Sequence, residues 1–185
     1  MQSANNHNGE CLQSANKISD VLSEPDPFTR EQFLAWRGFL RVHRHVTGEL
    51  DRRMLQEHGL ALDQYGILIT LVSAPGMALR MGELGARRLV SPSKISRVVD
   101  ELERARLVRR TRDPDDGRSY LATMTRRGLR KLRAAQITHH LVVRERLLDR
   151  LSSDQVKRLA EIWDSAVPGV VDSEVWPPAE LRGRA

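Results

Sequence analysis

The sequence predicts a mainly α-helical protein with a minor β component: two short helices joined by a tight turn, a β-hairpin after them, and long helices at both ends. Three observations predict it. Across residues 82–102, apolar residues recur at helical spacing on either side of the break Leu89-Val90-Ser91. Two β-tolerant runs, 107–112 and 118–125, then flank Asp113-Pro114-Asp115-Asp116-Gly117, which has the composition of a hairpin turn. Longer apolar helical patterns occupy the regions before and after this block.

Taken in order, residues 1–27 are rich in Asn, Ser and Gln without an apolar period, and are expected to form a flexible tail. Thr29 is placed to cap a helix running to about His58. In it Phe33, Trp36, Phe39 or Leu40, Val42 or His43, Val46 and Leu50 recur at helical spacing, and Gly59 closes it. A second helix over 62–72 stops at Ser73-Ala74-Pro75-Gly76, and Met77-Ala78-Leu79 suits a short strand pairing with the hairpin. The helix over 82–88 sends Met81, Leu84 and Leu89 toward the core. Ser91 caps the next helix and Pro92 suits its first position. Its stripe is Ile95, Val98, Val99 and Leu102. After the hairpin, Thr125 caps a long helix to about Arg150, with Leu129, Leu132, Leu141, Leu148 and Leu151 as apolar positions and an imperfect period at 138–140. Ser152 and Gln155 form a capping box. The last helix carries the stripe Val156, Leu159, Ala160, Trp163 and Val167, and Pro168-Gly169 ends it.

At 185 residues the chain is long enough for one domain with a real core. Its net charge of +6 points to a polyanionic partner. The distribution is more informative: residues 80–133 hold 16 Lys/Arg against 7 Asp/Glu, a net of +9, leaving 14 against 17, a net of −3, elsewhere. Aromatic residues are only 4%, which argues against single-strand binding by stacked bases. Cys11 is the sole cysteine, so no intrachain disulfide can form. With no signal-peptide pattern and no apolar run of membrane-spanning length, a cytoplasmic protein is expected. No nucleophile–base pair or Gly-rich phosphate loop is present, so no enzyme and no cofactor are expected.

Opposite the apolar stripe, the helix begun by Ser91 carries Ser93, Arg97, Asp100 and Arg104, flanked by Lys94 and Ser96. That face is short, polar and basic near its start, as entry into a DNA major groove requires. Ser91 and Ser93, with the free N–H groups of the helix start, suit a phosphate oxygen. Lys94, Ser96 and Arg97 can reach base edges or phosphates, and the fork of Arg97 matches guanine O6 and N7. Asp100 and Glu101 would repel phosphates and are expected to orient a neighbouring arginine. Arg110 and Arg112 are expected to add phosphate contacts. Helices at both chain ends carry more apolar surface than one small lobe can cover, which suggests a symmetric dimer.

The segments Met81-x-Glu83-Leu84, Leu89-x-Ser91-x-Ser93, Arg97-Val98-Val99-Asp100-x-Leu102-Glu103, Leu107-Val108-x-Arg110, Asp113-x-x-Asp116-x-Arg118 and 121–128 resemble the multiple-antibiotic-resistance regulator (MarR) family, loosely across 28–168. The resemblance implies a winged helix-turn-helix lobe over 62–125, and dimerisation helices over 28–60 and 126–172. These form one domain, 28–172, followed by a tail over 173–185. It implies a homodimeric repressor that reads a palindromic double-stranded DNA operator, with half-sites about one helical turn, ~34 Å, apart. Arg118 resembles the arginine this family inserts into the minor groove, with Asp116, and Asp113 beside it, positioning it by an ion pair. A small aromatic or phenolic effector would bind near Trp36, His43 and Tyr65. Alternatives of the same fold are a zinc-responsive regulator, using His45 with Glu49 and His139 or His140, and a non-specific architectural DNA-binding protein. No tight ligand motif supports the metal, and none is assigned.

Overall fold

The computed structural model describes residues 28–114 and 116–168. The expected tails, Cys11 and the domain boundary at 172 lie outside them. Helix α1 (Arg30–His58) starts at a reciprocal cap. The Thr29 hydroxyl accepts from the Gln32 N–H at 3.2 Å, and the Gln32 side chain accepts from the Thr29 N–H at 2.8 Å. Two compact units divide the chain, one up to Arg41 and one from Val42 onward. In the first, Phe33, Leu34, Trp36, Phe39 and Leu40 are exposed, and the Trp36 and Phe39 rings stack 5.8 Å apart.

In the second unit the apolar pattern becomes a core. Val46, Leu50 and Met54 are the buried residues of α1, and Gly59 ends the helix at φ 57°. Asp51 then accepts from the Leu62 N–H at 2.8 Å and anchors α2 (Leu62–Val72). Helix α2 is the axis of the lobe: Tyr65, Ile67, Leu68, Leu71 and Val72 are all buried, so it is covered on most sides. A 3-10 turn over Pro75–Met77 follows, with Met77 left-handed at φ 54°. That conformation cannot pair in a ladder, so the strand expected at Met77 begins one residue later, as β1 (Ala78–Arg80). Helices α3 (Met81–Arg88) and α4 (Pro92–Arg104) pack on α2. The stripe Ile95, Val98, Val99 and Leu102 is buried as its spacing predicts.

Strands β2 (Val108–Arg112) and β3 (Tyr120–Met124) form the hairpin, in a three-stranded antiparallel sheet ordered β1-β3-β2. Ala122 lies between Leu79 on one side and Arg110 on the other. Helix α5 (Arg126–Arg146) stops four residues short of the expected Arg150. Leu147, at φ −136° and ψ −67°, leaves the helical region and starts a 3-10 turn over Leu148–Arg150. Leu141, expected inward, is 47% exposed, while Thr138 and Val142 are buried instead. The irregular period at 138–140 has a polar cause: the Thr138 hydroxyl donates to Glu57 at 2.5 Å and lies 2.9 Å from His58 Nε2, so a polar side chain can occupy the inward position. Helix α6 (Ser153–Ala166) opens with the expected Ser152–Gln155 capping box.

Beside Thr138, His139 stacks on Tyr65 with centroids 4.7 Å apart. Burial pushes the Tyr65 phenol up to about 12. Burial, then the charge of His140, pulls His139 down to about 4. An unfolded histidine takes its proton near ~6.5, well above His139 in the folded chain. The unfolded state therefore binds more protons below that pH, and stability falls as pH drops from about 6.5 toward 4. His139→Gln should lessen this acid loss, read as a smaller fall in melting temperature between about pH 7 and 4.5. Equal falls in the two proteins would contradict the assignment.

Candidate nucleic-acid interface

Two hydrogen bonds build the start of α4. The Ser91 hydroxyl accepts from the Lys94 N–H at 3.4 Å and lies 3.2 Å from the Ser93 hydroxyl. Pro92 needs no N–H partner at its position. Ser91, Pro92 and Ser93 are all exposed, so this helix end presents the two serines to solvent.

The cations around it divide into two sets. Arg97, Arg112 and Arg118 are exposed and have no carboxylate partner among the described residues. Lys94 and Arg110 are held. Lys94 Nζ lies 2.8 Å from Asp63 of α2, a partner that sequence spacing could not reveal because 31 positions separate them. Arg110 Nη2 lies 2.8 Å from Asp100 and donates to the Ser96 carbonyl at 3.3 Å. The Arg110 N–H donates to Glu103 at 2.9 Å. Arg110 thus ties strand β2 to helix α4, and Asp100 has an arginine to orient. Ser96 is half-buried, with its carbonyl engaged by Arg110.

The wing's charges are arranged differently from the expected ion pairs. Asp113 is only 4% exposed and pairs with Arg80 at the end of β1, not with Arg118. The reason is the sheet: Arg80 faces Leu121 in the β1–β3 register and Thr111 faces Leu121 from β2, which brings the strand ends beside Asp113. Arg80 carries a positioning role that the sequence did not single out. Asp116 uses its carboxylate within the turn, accepting from the Ser119 hydroxyl at 2.6 Å and from the Arg118 backbone N–H at 3.1 Å. The Ser119 hydrogen bond, then the Arg118 N–H, holds the Asp116 carboxyl below its usual range. Asp116 therefore fixes the Arg118 backbone, and the Arg118 guanidinium has no carboxylate partner among the described residues.

Of the residues suggested for an effector, Trp36 belongs to the first unit and His43 and Tyr65 to the second. Trp36 stacks on Phe39 in the first unit. Tyr65, 3% exposed, is packed against His139 in the second. The His43 carbonyl accepts from the Thr47 hydroxyl at 2.7 Å. The zinc alternative finds Glu49 between two guanidinia, 2.7 Å from Arg52 and 3.2 Å from Arg146. Among the described residues no group of three His, Cys, Asp or Glu is placed to hold a metal ion, and no helix is long and apolar enough to cross a membrane.

Comparison with known proteins gives consistent matches. The sequence model of the MarR family matches residues 58–119. An uncharacterized HTH-type transcriptional regulator, YkoM from Bacillus subtilis, is 30% identical over 124 residues, covering 67% of this chain and 78% of the relative. The structure resembles Sco3205, a MarR family transcriptional regulator from Streptomyces coelicolor solved in complex with DNA, at 33% identity and a TM-score of 0.73. That match covers 84% of this chain and 98% of the other. AbsC, a MarR family regulator from the same organism, matches at 30% identity and TM-score 0.71, covering 77% and 95%.

Proposed function

The chain belongs to the MarR family of transcriptional regulators, and from that premise we propose that it acts as a homodimeric repressor of a palindromic DNA operator. It is a sequence-specific DNA-binding regulator, and the finer reading concerns how it binds. The observation that carries it is the set of exposed cations Arg97, Arg112 and Arg118, without a carboxylate partner among the described residues, beside an exposed Ser91-capped helix start. Helix α4 enters the major groove, with Ser91 and Ser93 on a phosphate and Arg97 on a base edge. Arg118 reaches the minor groove from the wing, and Arg112 adds a phosphate contact. Arg110 acts by holding the wing to α4, and Lys94 reaches DNA only on leaving Asp63.

The dimer reading rests on apolar surface. Phe33, Trp36 and Leu40 of α1, and Ile162, Trp163 and Val167 near the other end of the described chain, are exposed in the single copy. Such a concentration on terminal helices suits a second copy of the chain. Two copies would set two recognition helices one helical turn apart, and the protein acts in the compartment that holds the DNA. A small aromatic acid could relieve repression only by favouring a dimer whose recognition helices are wrongly spaced.

The test joins mass and affinity. Light scattering should give a dimer that binds one operator duplex as a unit. Arg97→Ala should cost about 1–3 kcal/mol on the preferred duplex and relax the preference at one base position. A uniform loss on every sequence would move Arg97 to a phosphate, and a monomer with full operator affinity would contradict the dimeric reading.

A further inference from the structure

Leu89 is the residue at which pattern and structure disagree most. Its spacing sends it toward the core, yet its side chain is 89% exposed. The cause is its backbone: Leu89 caps α3 in the left-handed region, at φ 52° and ψ 40°, which turns the side chain outward. Glycine occupies that region without strain, whereas a residue with a Cβ is disfavoured there. A leucine at this position therefore favours neither the local backbone nor the core.

Its surroundings suggest what it is for. Leu89 lies two residues before Ser91, the cap of the helix assigned to the groove. With Met81, Ala86, Val90, Pro92 and Ile95 it lines an open apolar hollow of about 380 Å³. Of the cations near it in sequence, Arg87 is paired with Glu83 and Lys94 with Asp63, whereas Arg97 on the helix that follows is exposed. An exposed apolar side chain two residues before the cap of the helix that also carries the exposed Arg97 complements a base edge bearing a hydrocarbon group. In the major groove that group is the thymine 5-methyl.

We propose that Leu89, together with Pro92, contacts thymine methyl groups in the operator and sets a preference for thymine beneath the start of α4. The proposal rests on the DNA-binding reading above. Leu89 is then a specificity residue retained against the local backbone preference.

The test begins with the duplex that the wild-type protein prefers. Binding of the wild type and of Leu89→Gly is measured on that duplex, and on versions in which each half-site thymine in turn is replaced by deoxyuridine, which lacks only the methyl. The wild type should lose about fourfold at one or two positions, the worth of one buried methyl. Leu89→Gly should bind the thymine duplex more weakly, respond to none of those replacements, and melt no lower than the wild type. Equal responses of the two proteins to deoxyuridine, or no response in either, would overturn the proposal. So would a variant altered only in oligomeric state or in binding of a small apolar ligand, because the hollow would then have another occupant. Failure of the wild type to bind any duplex would instead overturn the DNA-binding reading, and the proposal with it.

Discussion

Arg118→Ala is expected to weaken operator binding by about 100-fold or more while leaving fold and dimer unchanged. Each groove contact by an arginine is worth about 1–3 kcal/mol, and a dimer uses two wings, so both half-sites lose it. The structure isolates this side chain well. Asp116 orients the Arg118 backbone through its N–H, so the turn does not need the guanidinium. The side chain is exposed and makes no ion pair among the described residues, so its removal costs the fold little. The loss should shrink as salt rises, because part of the contact is counterion release. Unchanged affinity in a titration of the preferred duplex would show that the wing only closes a hairpin. Asp116→Ala should give a smaller loss of the same kind, through a less ordered turn.

The largest stability effect is expected at Gly128, where helix α5 meets the end of α4. A Cβ at this position would stand 2.2 Å from the Leu107 carbonyl oxygen, a backbone atom that cannot swing away. The same carbonyl accepts from the Thr125 N–H at 3.0 Å and from the Thr125 hydroxyl at 3.1 Å, which pins it in place. Gly128 also donates its N–H to the Thr125 hydroxyl, the cap of α5. In an exposed helix, Gly→Ala would stabilise by about 1 kcal/mol. Gly128→Ala should instead destabilise by about 2–3 kcal/mol through overpacking, lowering the melting temperature by roughly 5–10 °C. A rise in melting temperature would show that α5 can shift away from the Leu107 carbonyl at no cost.

Much of the molecule was legible because its signals are local. Ser91 and Pro92 define a helix start through their own chemistry, and Ile95, Val98, Val99 and Leu102 define a buried face through their spacing. The turn residues between 113 and 117 mark a hairpin in the same way. What sequence could not supply are pairings set by the fold. Asp113 stands close to Arg118 along the chain, but the sheet brings Arg80 to it from 33 positions away. Arg110 looked like one more cation for phosphate until the hairpin placed it against Asp100 and Ser96. Leu89 failed for a different reason: helical periodicity assumes helical backbone, and one residue in the left-handed region reverses the direction of its side chain. Thr138 and His139 broke the period of α5 because their surroundings, Glu57, His58 and Tyr65, come from helices far away in sequence.

The central claim, a dimer that reads a palindrome through α4 and its wing, is tested most directly by selection from random duplex DNA across a salt series, with the retained fraction sequenced. The account predicts one enriched inverted repeat, with half-site centres about 10–10.5 base pairs apart, and affinity falling steeply as salt increases. Salt-sensitive retention with no enriched sequence would contradict it, reducing the cations of α4 and the wing to a non-specific grip on the DNA backbone.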